Sequence, residues 1–356
     1  MTHAAPRRIR RAAFALSALA ASALVLSACS GSSTAAESAD SGASGEGADY
    51  GELTLQLSWI KNEEFAGEYF ADQNGYFTDA GFSSVNLVAG PSTGIPELVS
   101  GTADVSLSNA VAAGAAVANE GAPIKIIGST LQKNPFTVLS LQDGGDIATP
   151  DDLKGKKIGV QDSNLSLFNA FLAANEIEAS ELEIVPVQYD PAPLVNGEVD
   201  GFVAYLTNEA ITVEQSGLAT TNLPFADNGL PFVAETVTVT DEAIETRREE
   251  LKAFLAAEIR GWQDALADPD EGARLALEEY GTDLDLDPAK TLAGMIATNE
   301  LIVTDETDEN GIFTVSEDLQ EQTVVSLAGA GITLEAADLF DLSLLAEVYE
   351  ENPDLR

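Results

Sequence analysis

Leu53-Thr-Leu-Gln-Leu57, Ser58-Trp59-Ile-Lys-Asn62 and Glu63-Glu-Phe65-Ala66-Gly-Glu-Tyr69-Phe70-Ala71 follow one another without a break, and their reading decides the fold. Leucine at every second position predicts a half-buried strand; apolar side chains at 65, 66, 69 and 70 predict a helix over 63–74. Only five residues, 58–62, separate the two patterns, so strand and helix form one βα unit. Working outward, the alternation recurs. Strands are expected at 85–88, 103–107 and 124–127, with helices at 95–99 and 110–119 between them. A strand at 136–141 and the loop Asp143-Gly-Gly-Asp146 lead into a second series: a short helix start at 149–153, strand 157–160, helix 165–175, strand 182–187, short helix 192–196 and strand 201–205. A last strand at 233–240 precedes helical patterns at 241–266, 270–280, 288–298, 317–328 and 342–349. Strands alternating with helices predict an α/β fold with a mostly parallel sheet.

Gly101-Thr-Ala-Asp104 and Gly197-Glu-Val-Asp200 hold the same place in the two series, after a short helix and before a strand. A glycine that stops the helix and an Asp that turns the chain into the next strand account for the spacing. The repetition predicts two lobes on one plan, with 50–141 plus 233–356 in the first and 142–232 in the second. A length of 356 residues suits two domains.

The first 28 residues read as an export signal. Arg7, Arg8, Arg10 and Arg11 precede an apolar run over 12–26 that is too short to span a membrane, and Leu26-Ser-Ala-Cys29 follows. Cys after Leu-Ser-Ala resembles a bacterial lipobox, which makes Cys29 the acylated first residue of the mature chain. Residues 29–49 lack large apolar side chains and are expected to be a flexible tether. The single His and single Cys are His3 and Cys29, so the folded body has neither. Disulfides, Ser-His-Asp and Cys-His triads and zinc held by imidazole or thiolate are thereby excluded from it. The net charge of −42 becomes −46 once four arginines leave with the signal, a surface that repels nucleic acid and opposes an approaching anion.

Beyond composition, the segments Trp59-Ile-Lys-Asn62…Phe65-Ala66-Gly67, Asn74-Gly75-Tyr76-Phe77, Leu98-Val-Ser-Gly-Thr-Ala-Asp104, Leu153-Lys-Gly-Lys-Lys-Ile-Gly159, Ala257-Glu-Ile-Arg-Gly-Trp262 and 268–280 extend over most of 50–350. In them the chain resembles the substrate-binding lipoproteins of ABC importers in the thiamine-pyrimidine, riboflavin and alkanesulfonate-type group, whose superfamily includes fungal pyrimidine synthases. Trp-x-x-Asn followed by Phe-Ala-Gly is most similar to the pyrimidine and flavin-precursor members, with Lys61 where relatives often carry Pro. The resemblance implies a two-lobed periplasmic-binding-protein type II fold, α/β in class, with two hinge crossings and the ligand between the lobes. The crossings are expected near 138–141 and 232–237.

Ligands of open α/β sheets sit outside the carboxyl ends of the strands, and that rule selects the candidates. Trp59, just past the first strand, offers a flat wall to a planar heterocycle, or else is a rim residue packed into the core. Asn62 suits ring nitrogens and an exocyclic amine, or else caps the following helix. Glu63, Glu64 and Glu68 fit the helix's first half as a solvated face. Alternatively Glu63 or Glu64 accepts from a ligand amine, and Glu64 is taken as the candidate. Tyr69 and Phe65 face the core, Tyr69 with a hydroxyl that needs a partner. Pro91, Ser92, Ser108 and Asn109 each follow a strand and open a helix, as ligand contacts or as plain caps. In the second lobe, Gln161 and Ser163 have that placement, and Tyr189, Asp190, Tyr205, Asn208 and Glu209 complete the ring. Tyr189 or Tyr205 is a second aromatic face, and Asp190 or Glu209 the charge for an amine. Trp262 reads as core, and no acids are paired on adjacent strand ends.

The expected function is capture of a small heterocycle, first a thiamine-precursor pyrimidine, alternatively riboflavin or another vitamin precursor, for delivery to an ABC permease with its ATPase. Alkanesulfonate or nitrate binding ranks lower. So does a pyrimidine-synthase-like enzyme, because those enzymes consume an active-site His that the folded body lacks. No catalytic residue, cofactor, metal or nucleic-acid partner is expected. The chain is expected to be a monomer, held by lipid on the outer face of the cell membrane.

Overall fold

The structure, a computed structural model, describes residues 48–356. The signal over 1–28, acylation at Cys29 and all but the end of the tether lie outside the described residues. Among the described residues no helix is long and apolar enough to cross a membrane.

The strands are β1 (Gly51–Gln56), β2 (Phe82–Val88), β3 (Val105–Asn109), β4 (Ile124–Leu131), β5 (Phe136–Leu141), β6 (Lys157–Gln161), β7 (Glu183–Val187), β8 (Gly201–Tyr205), β9 (Thr220–Pro224) and β10 (Ala234–Thr240). They form two sheets, in orders β2-β1-β3-β10-β4 and β7-β6-β8-β5-β9. Each sheet has three parallel strands with the first in the middle. Beside the third lies, antiparallel, the strand that has just arrived from the other sheet, β10 or β5. The two-lobed α/β architecture expected from the sequence is therefore present.

The Gly-x-x-Asp repeat explains how both lobes reach the same plan. Gly101 and Gly197 both have φ of 72°, the left-handed conformation that ends the preceding helix. Asp104 then accepts the backbone N–H of Thr54 in β1 at 2.8 Å, and Asp200 accepts that of Lys157 in β6 at 2.8 Å. Each Asp thus ties the start of the third parallel strand to the first.

One boundary differs from the sequence reading. β5 pairs with β8 and β9, so it belongs to the second sheet, and the crossings fall at 132–135 and 225–233. Alternation along 136–141 shows a strand but carries no information about its partners. Strand β9 and the helix Glu209–Gln215 were not anticipated. Thr220-Thr-Asn-Leu-Pro224 has one large apolar side chain and a terminal Pro, and it is a strand because β5 offers it an edge. The helical pattern over 241–266 is broken into Asp241–Thr246 and Arg248–Ala267. The break is at Arg247, whose guanidinium donates to Asp104 at 2.6 Å and to Glu250.

The helix Ala66–Gln73 crosses Arg248–Ala267 at two glycines. A Cβ on Gly67 would lie 2.2 Å from the Trp262 ring, and one on Gly261 would lie 2.1 Å from the Gly67 carbonyl oxygen. Trp262 is core, as expected, at 1% exposure. This close crossing buries Glu68 and Glu258 as well, which corrects the solvated-face reading of 63–68: Glu63, Glu64 and Glu68 are all buried. Helical spacing alone could not show that a second helix covers that face. Gly67→Ala is expected to cost at least about 1–3 kcal/mol of stability through overpacking, read from urea melts; an unchanged midpoint would mean that the crossing relaxes freely.

Candidate functional site

A cavity lies between the lobes, with eight lining residues from each. The first lobe contributes Ser58, Trp59, Glu64, Ser92, Thr93, Ser108, Asn109 and Glu235; the second contributes Phe136, Gln161, Ser163, Asn164, Val203, Ala204, Tyr205 and Glu209. Most stand at the carboxyl ends of β1, β3, β6 and β8, where loops and helix starts converge. The space not filled by atoms is about 470 Å³, including space open to solvent.

Trp59 is half-buried, and the loop at 90–92 pins its backbone: Gly90 N–H donates to the Trp59 carbonyl at 2.6 Å and Ser92 N–H to that of Ser58 at 3.0 Å. A Cβ on Gly90 would lie 2.5 Å from the Ser58 oxygen, so this approach needs glycine. Across the cavity the Phe136 and Tyr205 rings meet edge to face, centroids 4.5 Å apart. The cavity therefore has an indole on one lobe and an aromatic pair on the other.

Three carboxyls line it. Tyr205 N–H donates to Glu209 Oε2 at 2.9 Å. Glu235 accepts from Ser58 Oγ at 2.9 Å and from Tyr205 Oη at 3.0 Å, the second bond running between lobes. Glu64 Oε1 accepts from Asn62 Nδ2 at 3.1 Å and from Asn208 Nδ2. Burial pushes Glu209 and Glu235 up to about 7. It pushes Glu64 well above the usual carboxylate range, helped by the charges of Glu209 and Glu235. No Lys or Arg is among the described lining residues. Two hydroxyls in the lining, Ser108 Oγ and Ser163 Oγ, are buried without a hydrogen-bond partner.

Of the residues singled out from sequence, Trp59, Glu64, Ser92, Ser108, Asn109, Gln161, Ser163, Tyr205 and Glu209 line the cavity. Some of their polar atoms are spent within the protein. Asn109 Oδ1 caps the helix Ala110–Ala115, and Gln161 Nε2 donates to the Val203 carbonyl.

The others lie elsewhere. Asn62 is the helix cap, accepting Glu64 N–H at 3.2 Å. Tyr69 is fully buried and stacked on Tyr280 at 4.1 Å, its hydroxyl unpartnered, because a second helical turn carries it away from the cavity. Pro91, after a cis peptide bond, shapes the loop over Ser58. Tyr189 is 39% exposed and Asp190 accepts the Ala192 N–H; β7, which precedes them, is an edge strand that contributes nothing to the lining. Asn208 is buried between Glu64 and Lys290, outside the lining.

Sequence reasoning missed Glu235, which joins Glu64 and Glu209 in the lining. Glu235 shares the phase of Val237 and Val239, which hides it. In the sheet Ala234 and Thr236 pair with the adjacent Asn109 and Ser108, leaving Glu235 as a bulge with φ of 47°, aimed at the cavity. Among the described residues no group of three or more His, Cys, Asp or Glu side chains is placed to hold a metal ion.

A family model described as "NMT1/THI5 like" matches residues 62–272, more than half of the chain. The chain belongs to the NMT1/THI5-like family. The riboflavin-binding protein RibY of Chloroflexus aurantiacus is 25% identical over 244 residues, and the match covers 64% of this chain and 66% of that protein, just under two thirds of the relative's length. Among solved structures, a Bordetella bronchiseptica protein superposes with a TM-score of 0.69 at 18% identity, over 85% of this chain and 98% of that one. The periplasmic nitrate-binding protein NrtA of Synechocystis superposes with a TM-score of 0.62 at 13% identity, over 84% and 88%. At such identities these two establish the shared fold. The NMT1/THI5-like match starts at Asn62, at the end of the loop after β1, takes in all of the second lobe and the helix Arg248–Ala267, and so includes every lining residue except Ser58 and Trp59.

Proposed function

We propose that the chain is an extracytoplasmic solute-binding protein, tethered through Cys29, that closes over a small aromatic heterocycle rich in hydrogen-bond donors and delivers it to an ABC permease. A thiamine-precursor aminopyrimidine is the ligand that fits best. One observation carries this reading: Glu64, Glu209 and Glu235 line a cavity walled by Trp59, Phe136 and Tyr205, with no basic side chain among the described lining. An aminopyrimidine offers an exocyclic amine to a carboxyl oxygen and a ring nitrogen to a protonated carboxyl, while its faces stack on aromatic walls. A sulfonate or nitrate meets carboxyls and no countercharge. No bond is made or broken; contacts to both lobes favour the closed form.

Riboflavin is the second reading, favoured by the likeness to a protein named for binding it. Riboflavin carries no exocyclic amine for the three carboxyls, which puts it second. A thermal-shift panel of 4-amino-5-hydroxymethyl-2-methylpyrimidine, formylaminopyrimidine, thiamine, riboflavin and taurine separates the readings, because a ligand raises the melting temperature by mass action. An upward shift is expected with the aminopyrimidines and none with taurine. A shift with riboflavin alone selects the second reading, and micromolar binding of taurine sinks both.

A further inference from the structure

Asn208 stands outside the cavity lining, yet its side chain reaches from the second lobe into a buried polar network of the first. Its Nδ2 donates to Glu64 Oε1, and its Oδ1 accepts from Lys290 Nζ, on the helix Pro288–Ile302. Asn208, Glu64 and Lys290 are 6%, 5% and 7% exposed. The first lobe holds both partners in place by itself. Lys290 Nζ donates to Glu63 Oε1 at 2.6 Å, and Asn62 Nδ2 donates to Glu64 Oε1 at 3.1 Å. One side of the cleft thus presents a fixed donor and a fixed acceptor, and the other brings an amide that has one of each.

The backbone beside this contact is shaped for it. Gly294 lies one turn along from Lys290, and a Cβ there would sit 2.8 Å from the Thr207 carbonyl oxygen and 2.2 Å from Glu63 Oε1. Only a glycine lets this helix approach residues 207–208 so closely. Glu64 meanwhile faces two ways. Its Oε1 takes the two amide donors, and its carboxyl lines the cavity, leaving Oε2 for a donor group of the ligand.

We propose that Asn208 is the latch of lobe closure, that Lys290 orients it, and that the latch fixes Glu64 in its ligand-facing position. Opening withdraws the amide from both partners at once and exchanges two hydrogen bonds, one of them to an ammonium, for bonds to water. A ligand that engages Glu64 is therefore retained by a contact it never touches. Asn208 is a positioning residue, and its effect appears in dissociation more than in association. The binding-protein reading enters only through the ligand's part in closure.

The test is a spin-label distance between Val99→Cys and Val195→Cys, exposed positions on opposite lobes, in the Cys29→Ser background. It is measured without ligand and with millimolar 4-amino-5-hydroxymethyl-2-methylpyrimidine. The parent is expected to show a short-distance population that Asn208→Ala lowers severalfold, with pyrimidine dissociation faster by roughly tenfold and association little changed. Lys290→Met combined with Glu63→Gln, which leaves no bare carboxylate, is expected to do the same. An equal short-distance population in parent and Asn208→Ala, or none in the parent under either condition, overturns the latch. If Asn208→Ala lowers the population while the pyrimidine binds neither protein, the latch stands and the heterocycle reading is what fails.

Discussion

Stability of the ligand-free protein is expected to fall as pH rises from about 5 to 8, and the carboxyl pair Glu68 and Glu258 is one cause, beside Glu209 and Glu235 of the cavity. Glu68 and Glu258 are buried within the first lobe, where the two helices cross at Gly67 and Gly261, so their environment is independent of lobe closure. Trp262 Nε1 donates to Glu68 Oε1 at 3.4 Å, and Glu68 Oε2 and both Glu258 oxygens have no other partner. Burial raises both groups, and the charge of Glu68 pushes Glu258 higher still. The sign follows from linkage. A carboxyl raised above its unfolded value of about 4.5 keeps its proton in the folded state while the unfolded chain releases it. Its contribution is full below that pH and is lost as pH climbs through the raised folded value. Raising a carboxyl's pKa by one on folding corresponds to about 1.4 kcal/mol, so the loss between pH 5 and 8 is expected to be at least of that order. The acidic surface, with a net charge of −42, adds a trend of the same sign. Urea melts of wild type and of the double variant Glu68→Gln, Glu258→Gln separate the pair's share from the rest. The variant is expected to keep stability at pH 5 and to lose part of the slope above it. A wild type equally stable at both ends, or a double variant with an unaltered slope, would remove the buried pair as a cause.

The chain's two tryptophans are expected to fail in opposite ways. Trp59→Ala removes a cavity wall, so affinity for the pyrimidine is expected to drop by about 1–3 kcal/mol, the range for one lost base–aromatic stack. Stability is expected to change little, since the ring is only half-buried. Trp262→Ala empties a core site over Gly67 and is expected to cost roughly 3–5 kcal/mol of folding stability. Its surviving folded molecules should bind normally. Titration calorimetry paired with urea melts on both variants gives the four numbers required. Trp59→Ala that is strongly destabilised yet binds with unchanged affinity would falsify the wall assignment.

Much of the architecture was legible because it rests on local patterns. The βα units follow from apolar periodicity, and the two-lobe plan from Gly-x-x-Asp at 101–104 and 197–200, since a left-handed glycine and a turn-forming Asp act within a few residues. Strand β9 was not legible, because its sequence lacks alternation and its partner β5 lies some eighty residues earlier. For the same reason β5 was assigned to the wrong lobe. A strand's sequence records its buried face, whereas its sheet is set by the neighbour that satisfies its backbone.

The site divides along the same line. The carboxyl ends of β1, β3, β6 and β8 pointed by themselves to Trp59, Ser108, Asn109, Gln161, Tyr205 and Glu209, because the direction of a strand fixes where its following loop emerges. The absence of His and Cys beyond residue 29 likewise settled, from sequence, which chemistries the folded body lacks. Glu235 needed the bulge in β10, Asn208 needed the second lobe closed against Lys290, and the burial of Glu68 needed the helix that crosses it. Each of these three depends on what a residue meets across the fold. Distance in space, which sets desolvation and hydrogen bonding, is the quantity that a single sequence does not carry.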